Sequence, residues 1–318
     1  AVTDALCGIV MLVGIVVLAA GILIAGGGWE NIMGTIRTNH PQMLEPLSGG
    51  AMPVSLYFTQ WLLVGIFTFA LPQSVVRCMG YKDTKSLRGA MIGGTIIIGA
   101  MMIGVTTLGV LSAGVLTGDL ASYGGSVDNI IPRTIVETLP PWLAGVAIVG
   151  PVAASISTVS SLLIASSSAI IKDLWLHYAD DRGQQVSDAV VARSSQIITL
   201  GVGVIVFVLA VVPPSVIWKI NMFAFGGLET AFCWVLVGAL FFKRANKVGA
   251  IASMVGGTAF YCLCMALGFK LFGLHQIVIG ITVSLLCMAL GSWIGNRRAN
   301  AADAAADAEM REVFFPEA

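Results

Sequence analysis

Charge is what this chain has least of. Only 11% of its 318 residues are Asp, Glu, Lys or Arg, against about a quarter in ordinary soluble domains. The 17 basic and 17 acidic residues cancel, which removes any bulk electrostatic case for nucleic acid. Histidine is nearly absent: His40, His177 and His275 stand apart in loops or at helix ends, not as a metal-ligand cluster. The six cysteines (Cys7, Cys78, Cys233, Cys262, Cys264, Cys287) form no CxxC pair and lie in or beside apolar runs, so they read as reduced residues facing lipid or core. There is no Walker loop, no HExxH, no dinucleotide fingerprint and no Ser/His pair within the apolar segments. Nothing in the residues proposes covalent chemistry, and the chain is expected not to be an enzyme. No signal peptide is present, and Ala1-Val2-Thr3-Asp4 already borders an apolar run; the chain reads as starting partway through a larger protein.

What is present in abundance is apolar sequence, 57% of the residues. Eight stretches are long enough to cross a bilayer core of about 30 Å: 4–25, 53–79, 89–116, 141–171, 193–212, 216–242, 248–268 and 275–296. The expected fold is all-α and polytopic, with about eight transmembrane helices and one membrane domain, 1–298, followed by an Ala/Asp/Glu-rich cytoplasmic tail, 299–318. Lys and Arg set the orientation. Arg77, Lys82, Lys85, Arg88, Lys172, Arg182, Arg193, Lys243, Arg244, Lys247, Arg297 and Arg298 fall on one side, and only Arg37, Arg133, Lys219 and Lys270 on the other. Both ends are therefore expected in the cytoplasm. Between spans, Ser126 to Leu139 is expected to form a short amphipathic helix before Pro140-Pro141.

Four features stand out against this background. Ala154, Ser157, Thr158 and Ser161 fall at i, i+3, i+4 and i+7, hence on one helix face. Their hydroxyls and carbonyls suit a small hard cation, sodium above all in a lipid-embedded chain; the same residues equally suit close helix packing with serines bonded back to their own helix. Phe69-Ala70-Leu71-Pro72-Gln73 puts proline inside a span, where it breaks or kinks the helix and frees carbonyls; transporters build substrate sites at such breaks, and simple kinks are also common. Glu229 sits mid-span after Gly226-Gly227. It reads as a substrate ligand, proton relay or gate, or as a structural hydrogen bond, with the glycines loosening the helix. Asp4 reads as a cation ligand on an exit path or as a helix N-terminal acid.

Ala239-Leu240-Phe241-Phe242-Lys243-Arg244-Ala245-Asn246-Lys247-Val248-Gly249-Ala250, continuing to Gly256-Gly257, resembles the C-terminal signature of the sodium:solute symporter family. Leu71-Pro72 with Val76-Arg77-Cys78, Ile170-Ile171-Lys172-Asp173-Leu174 and Ala224-Phe225-Gly226-Gly227-Leu228-Glu229 support it, most closely in the family's pantothenate-carrying branch. The resemblance covers residues 1 to about 298. It implies a five-plus-five inverted repeat of the leucine-transporter type. Span one would be the last helix of the first repeat, spans two to six the second repeat, and spans seven and eight peripheral, so that the chain is the C-terminal two-thirds of its parent. It further implies sodium as co-transported ion at the Ala154 carbonyl and the Ser157 and Thr158 hydroxyls. A second sodium or exit position would use Asp4 and Ser161, although Cys7 replaces the usual glutamine three residues on from the acid. The solute would lie against Thr68, Leu71, Pro72 and Gln73 of span two and Asn221, Phe225 and Glu229 of span six; Gln73 stands where the pantothenate carriers are expected to have histidine. The implied function is symport of a small carboxylate, pantothenate first, across a bacterial inner membrane. Proline or a short organic acid is the alternative within the class. A symporter-like membrane sensor is the alternative outside it, weighed down by a short tail with no kinase-like region.

Overall fold

The computed structural model describes residues 2–116, 118, 124–184 and 186–298; of these, the side chains of Val2, Asp4, Arg77 and Arg298 lie outside the description. The readings placed on the tail and on the Asp4 side chain therefore fall outside the described residues. The described chain is helical, with no strand among its residues. The helices in order are α1 (Val2–Ala25), α2 (Trp29–Asn39), a left-handed turn α3 (Leu47–Gly50), α4 (Val54–Gly65), α5 (Pro72–Met79), α6 (Thr84–Ser112), α7 (Ile130–Thr138), α8 (Pro141–Ser168), α9 (His177–Asp181), α10 (Asp188–Val211), α11 (Ile217–Phe241), α12 (Lys247–Ala266) and α13 (Gln276–Arg298). Seven of the continuous helices are long and apolar enough to cross a membrane. The protein is an all-α polytopic membrane protein.

The second expected span takes a different form from the other seven. Residues 53–79 do not form a helix of spanning length but three pieces: α4, a 3₁₀ turn at Phe67–Ala70, and α5. Proline carries no N–H and disfavours helical backbone in the residue before it; Leu71 accordingly takes an extended conformation, φ −67° and ψ 129°. The fourth expected span is longer than 141–171. It runs unbroken from Pro141 to Asp181, because α8 passes through a π-helical stretch, Ala169–Leu176, directly into α9.

The chain divides into two compact units, Ala1–Glu45 with Lys82–Ile217, and Pro46–Tyr81 with Trp218–Ala318. In the first unit, α1 and α8 cross where both lack side chains. A Cβ on Gly14 would lie 3.3 Å from the Ala147 carbonyl oxygen and from the Gly150 Cα, so the backbones meet directly, as small residues allow between membrane helices. The core beside this crossing is aliphatic, with Leu18, Ile22, Leu108, Leu111, Ile135 and Leu139. Between the first two expected spans, after Gly26-Gly27-Gly28, lies α2, which buries Ile32 and Ile36 in that core. Gly27 and Gly28, at φ 71° and 96°, make the turn that admits it. The amphipathic helix expected over 126–139 is present as a 3₁₀ turn from Val127 followed by α7, with Thr134 and Ile135 inward. The Asp83 side chain caps α6 by accepting from the Ser86 N–H at 2.6 Å, and that hydrogen bond holds its carboxyl below the usual range.

In the second unit, α12 and α13 pack along small residues. A Cβ on Gly249 would strike the Ser292 hydroxyl, and one on Gly257 would come within 2.9 Å of the Ser284 Cα. Polar bonds tie α13 to both α12 and α11. The Ser284 hydroxyl donates to the Thr230 carbonyl (2.8 Å) and pairs with the Ser253 hydroxyl (2.8 Å), and Trp234 Nε1 donates to the Ile281 carbonyl (2.8 Å). The start of α4 is tied to the turn ahead of α13, with Ser55 Oγ donating to the Gly273 carbonyl (3.2 Å) and the His275 N–H donating to Thr59 Oγ1 (2.8 Å).

Candidate functional site

The expected site residues fall into two groups, one in each compact unit. In the first unit, Ala154, Ser157, Thr158 and Ser161 lie on α8, in the turns that follow its internal Pro151. Thr158 is exposed, and the other three are half-buried. Thr158 Oγ1 donates to the Ala154 carbonyl at 3.0 Å and Ser161 Oγ to the Ser157 carbonyl at 2.9 Å; Ser155 Oγ donates to the Pro151 carbonyl at 3.0 Å. These are the back-bonds that the packing reading predicts. They also leave the cation reading chemically intact, because a hydroxyl that has donated its proton keeps lone pairs on its oxygen. The face thus presents oxygens without presenting free protons, which is the polarity a cation requires.

In the second unit, the break between α4 and α5 coincides with the residues singled out for the solute. Thr68 lies in the 3₁₀ turn and bonds back to the Val64 carbonyl at 2.6 Å. Leu71 is extended and buried, and its carbonyl accepts from both Ser74 N–H (2.8 Å) and Val75 N–H (3.1 Å). Pro72 and Gln73 open α5 and are half-buried. The break and α11 share one core, in which Leu63 and Ala70 meet Met222 and Cys233 with Phe225 packed against them. Asn221 and Phe225 are half-buried on α11.

Glu229 differs from its neighbours. It is wholly buried, and neither carboxyl oxygen has a hydrogen-bond partner among the described residues. The helix α11 is unbent at Gly226-Gly227 in this structure and continuous from Ile217 to Phe241. Gly226 makes room for Tyr261 of α12, whose hydroxyl donates to the Met222 carbonyl at 3.1 Å. Tyr261, Ser253, Ser284 and Thr230, all buried, were missed from the sequence. The only signal was their place at helical spacing beside the glycines. Among the described residues no group of three or more His, Cys, Asp or Glu could hold a metal ion.

Four similarities to known proteins bear on this geometry. Residues 1–257 match the sodium:solute symporter family. The chain is 35% identical over 297 residues to the sodium/pantothenate symporter of Haemophilus influenzae, covering 93% of this chain and 60% of that protein. It is 36% identical over 293 residues to the sodium/pantothenate symporter of Escherichia coli, covering 92% and 59%. The osmoregulated proline transporter OpuE of Bacillus subtilis is 26% identical over 296 residues, covering 91% and 58%. The chain thus spans about three fifths of the length of these relatives.

Proposed function

This chain belongs to the sodium:solute symporter family, and from that premise we propose that it works in sodium-coupled uptake of a small carboxylate, pantothenate, through a bacterial inner membrane. The observation that carries the reading is the helix break at Thr68–Gln73, in a chain 35% identical to a sodium/pantothenate symporter. A broken helix puts backbone polar groups and a helix N-terminus within a membrane segment, where an anionic solute needs them. Leu71, Pro72, Gln73 and Thr68 form the solute's side of the break, with Asn221 and Phe225 from α11 opposite. Sodium binds the Ala154 carbonyl and the Ser157 and Thr158 hydroxyls on α8, and Asp4 with Ser161 marks a second position or its exit. Both termini face the cytoplasm, and the chain supplies the last helix of one five-helix repeat, the whole of the next, and two peripheral helices.

Coupling follows from linkage: each ligand raises the affinity for the other by the same factor. A membrane potential of about 100 mV adds roughly 2.3 kcal/mol per sodium charge moved, which drives uptake without ATP. Similarity to a proline transporter over 91% of the chain supports proline as the second reading. The test is uptake of labelled pantothenate, in sodium and in choline, by cells lacking their own carrier and expressing wild type or Thr158→Ala. Sodium-dependent uptake, with the variant needing more sodium, is expected. Sodium-dependent proline uptake without pantothenate uptake would replace the solute. Uptake indifferent to sodium and to Thr158 would return the α8 hydroxyl face to a packing role.

A further inference from the structure

At the end of the second unit, a cleft of about 710 Å³ opens between the C-terminal parts of α11 and α13. Its walls are apolar, with Trp234, Phe242, Leu285 and Met288, and its rim carries Arg244 and Arg297. Two features make this a built site. The Arg297 guanidinium stacks on the Trp293 ring, 3.9 Å from its centroid, which orients a planar donor set at the mouth. The turn bearing Arg244 is pinned to α13: Asn296 Nδ2 donates to the Arg244 carbonyl (2.9 Å), and Asn246 Nδ2 donates to the Ser292 carbonyl (2.9 Å) and to Asn296 Oδ1 (3.0 Å). Neither arginine has an acidic partner among the described residues, and Glu229, buried mid-helix, is the second unit's sole acid among them.

We propose that this cleft binds an anionic phospholipid, its phosphate held by Arg244 and Arg297 and an acyl chain lying along the apolar wall. The charge pattern selects the occupant. A soluble anion would use the rim and leave the wall unexplained, whereas a neutral lipid would use the wall and leave two cations uncompensated. The position fits, because α11 and α13 are both spanning helices and the cationic and indole groups sit in and just beyond their last turns, where a headgroup lies. The inference does not depend on which solute the protein carries.

The test is lipid retention by the purified protein in detergent, measured by native mass spectrometry with added phosphatidylglycerol, phosphatidylcholine or glycerol phosphate. Phosphatidylglycerol should be retained in preference to phosphatidylcholine, and glycerol phosphate, the headgroup alone, should not be retained. A basic residue near a headgroup is worth roughly fivefold in binding, so Arg244→Gln/Arg297→Gln should weaken phosphatidylglycerol retention on the order of 25-fold. Arg244→Lys/Arg297→Lys, which keeps the charge, should retain the lipid, and retention of phosphatidylcholine by both variants reports that they are folded. Equal retention of the two lipids, or wild-type phosphatidylglycerol retention by the Gln variant, would overturn the proposal. The latter is the result expected if the chain's own acidic residues 299–318 occupy the cleft.

Discussion

At the scale of single residues, glycine and buried polar groups carry most of the information. Gly249 lies where a Cβ would meet the Ser292 hydroxyl, and the Met288 carbonyl would be 2.8 Å away. Gly249→Val should therefore force α12 from α13 and cost about 1–3 kcal/mol, read as a lower thermal midpoint in detergent. Gly201 of α10 has nothing within 4 Å of its would-be Cβ, so Gly201→Ala should be neutral or stabilising by up to ~1 kcal/mol. His275 offers a pH test. It is buried, its Nδ1 accepts from the Ile277 N–H at 3.2 Å, and burial, reinforced by Lys270, pushes its imidazole down to about 4 from the ordinary 6.5. The unfolded chain takes up that proton at a higher pH than the folded one. Stability from this group is thus intact above 6.5 and is lost as pH falls toward 4. Melting temperatures taken at successively lower pH should fall for wild type and fall less for His275→Phe. A residue such as Glu229 was legible as unusual, since a lone mid-span carboxylate is costly wherever it faces. Its neighbours were not, because a serine or tyrosine in an apolar run shows nothing of which helix it will meet.

At the scale of elements, the sequence is most legible where the backbone itself is constrained. Pro72 marks the break in the sequence itself, since its effect on Leu71 is local. The helix α2 went unread because, of its 11 residues, only Ile32 and Ile36, one i, i+4 pair, are buried, a pattern too short to stand out from a glycine-rich connection. The α8 continuation to Asp181 was also unread, since Lys172 and Asp173 look like a span end while the helix carries on through them. Two predictions belong here. Pro72→Ala removes the constraint that keeps Leu71 extended, so α4 and α5 should tend toward one helix; solute uptake should fall while the protein remains monodisperse in detergent. Gly150→Leu inserts a side chain where α1 and α8 backbones meet, with Gly14 Cα 3.5 Å from its would-be Cβ. It should destabilise by about 1–3 kcal/mol and lower sodium affinity through the displaced α8. A variant as stable as wild type would show that α1 and α8 can separate without strain.

At the scale of the whole molecule, charge distribution and the broken segment together decide the topology. The basic segments 77–88, 172–193, 243–247 and 297–298 are expected on one side whether or not residues 54–79 cross the membrane, because a re-entrant segment would invert only what precedes it. Lysine and arginine counts alone therefore leave the side of residues 26–52 open, and that limit is topological. Length favours a crossing. Val54–Ala70 is apolar throughout, and 12 residues of α4, four of 3₁₀ turn and eight of α5 extend about 38 Å if roughly collinear, enough for a core of about 30 Å. In the proposed topology the segment crosses, and residues 26–52 are expected opposite the basic loops. With native cysteines replaced, a single cysteine at Thr38 should react in intact cells with an impermeant maleimide, and one at Lys243 only after the membrane is opened. Reaction of both positions only after opening would make 54–79 re-entrant. It would move the amino-terminal end of α1 to the outer side and bring Asp4 away from the cytoplasmic exit it is proposed to mark.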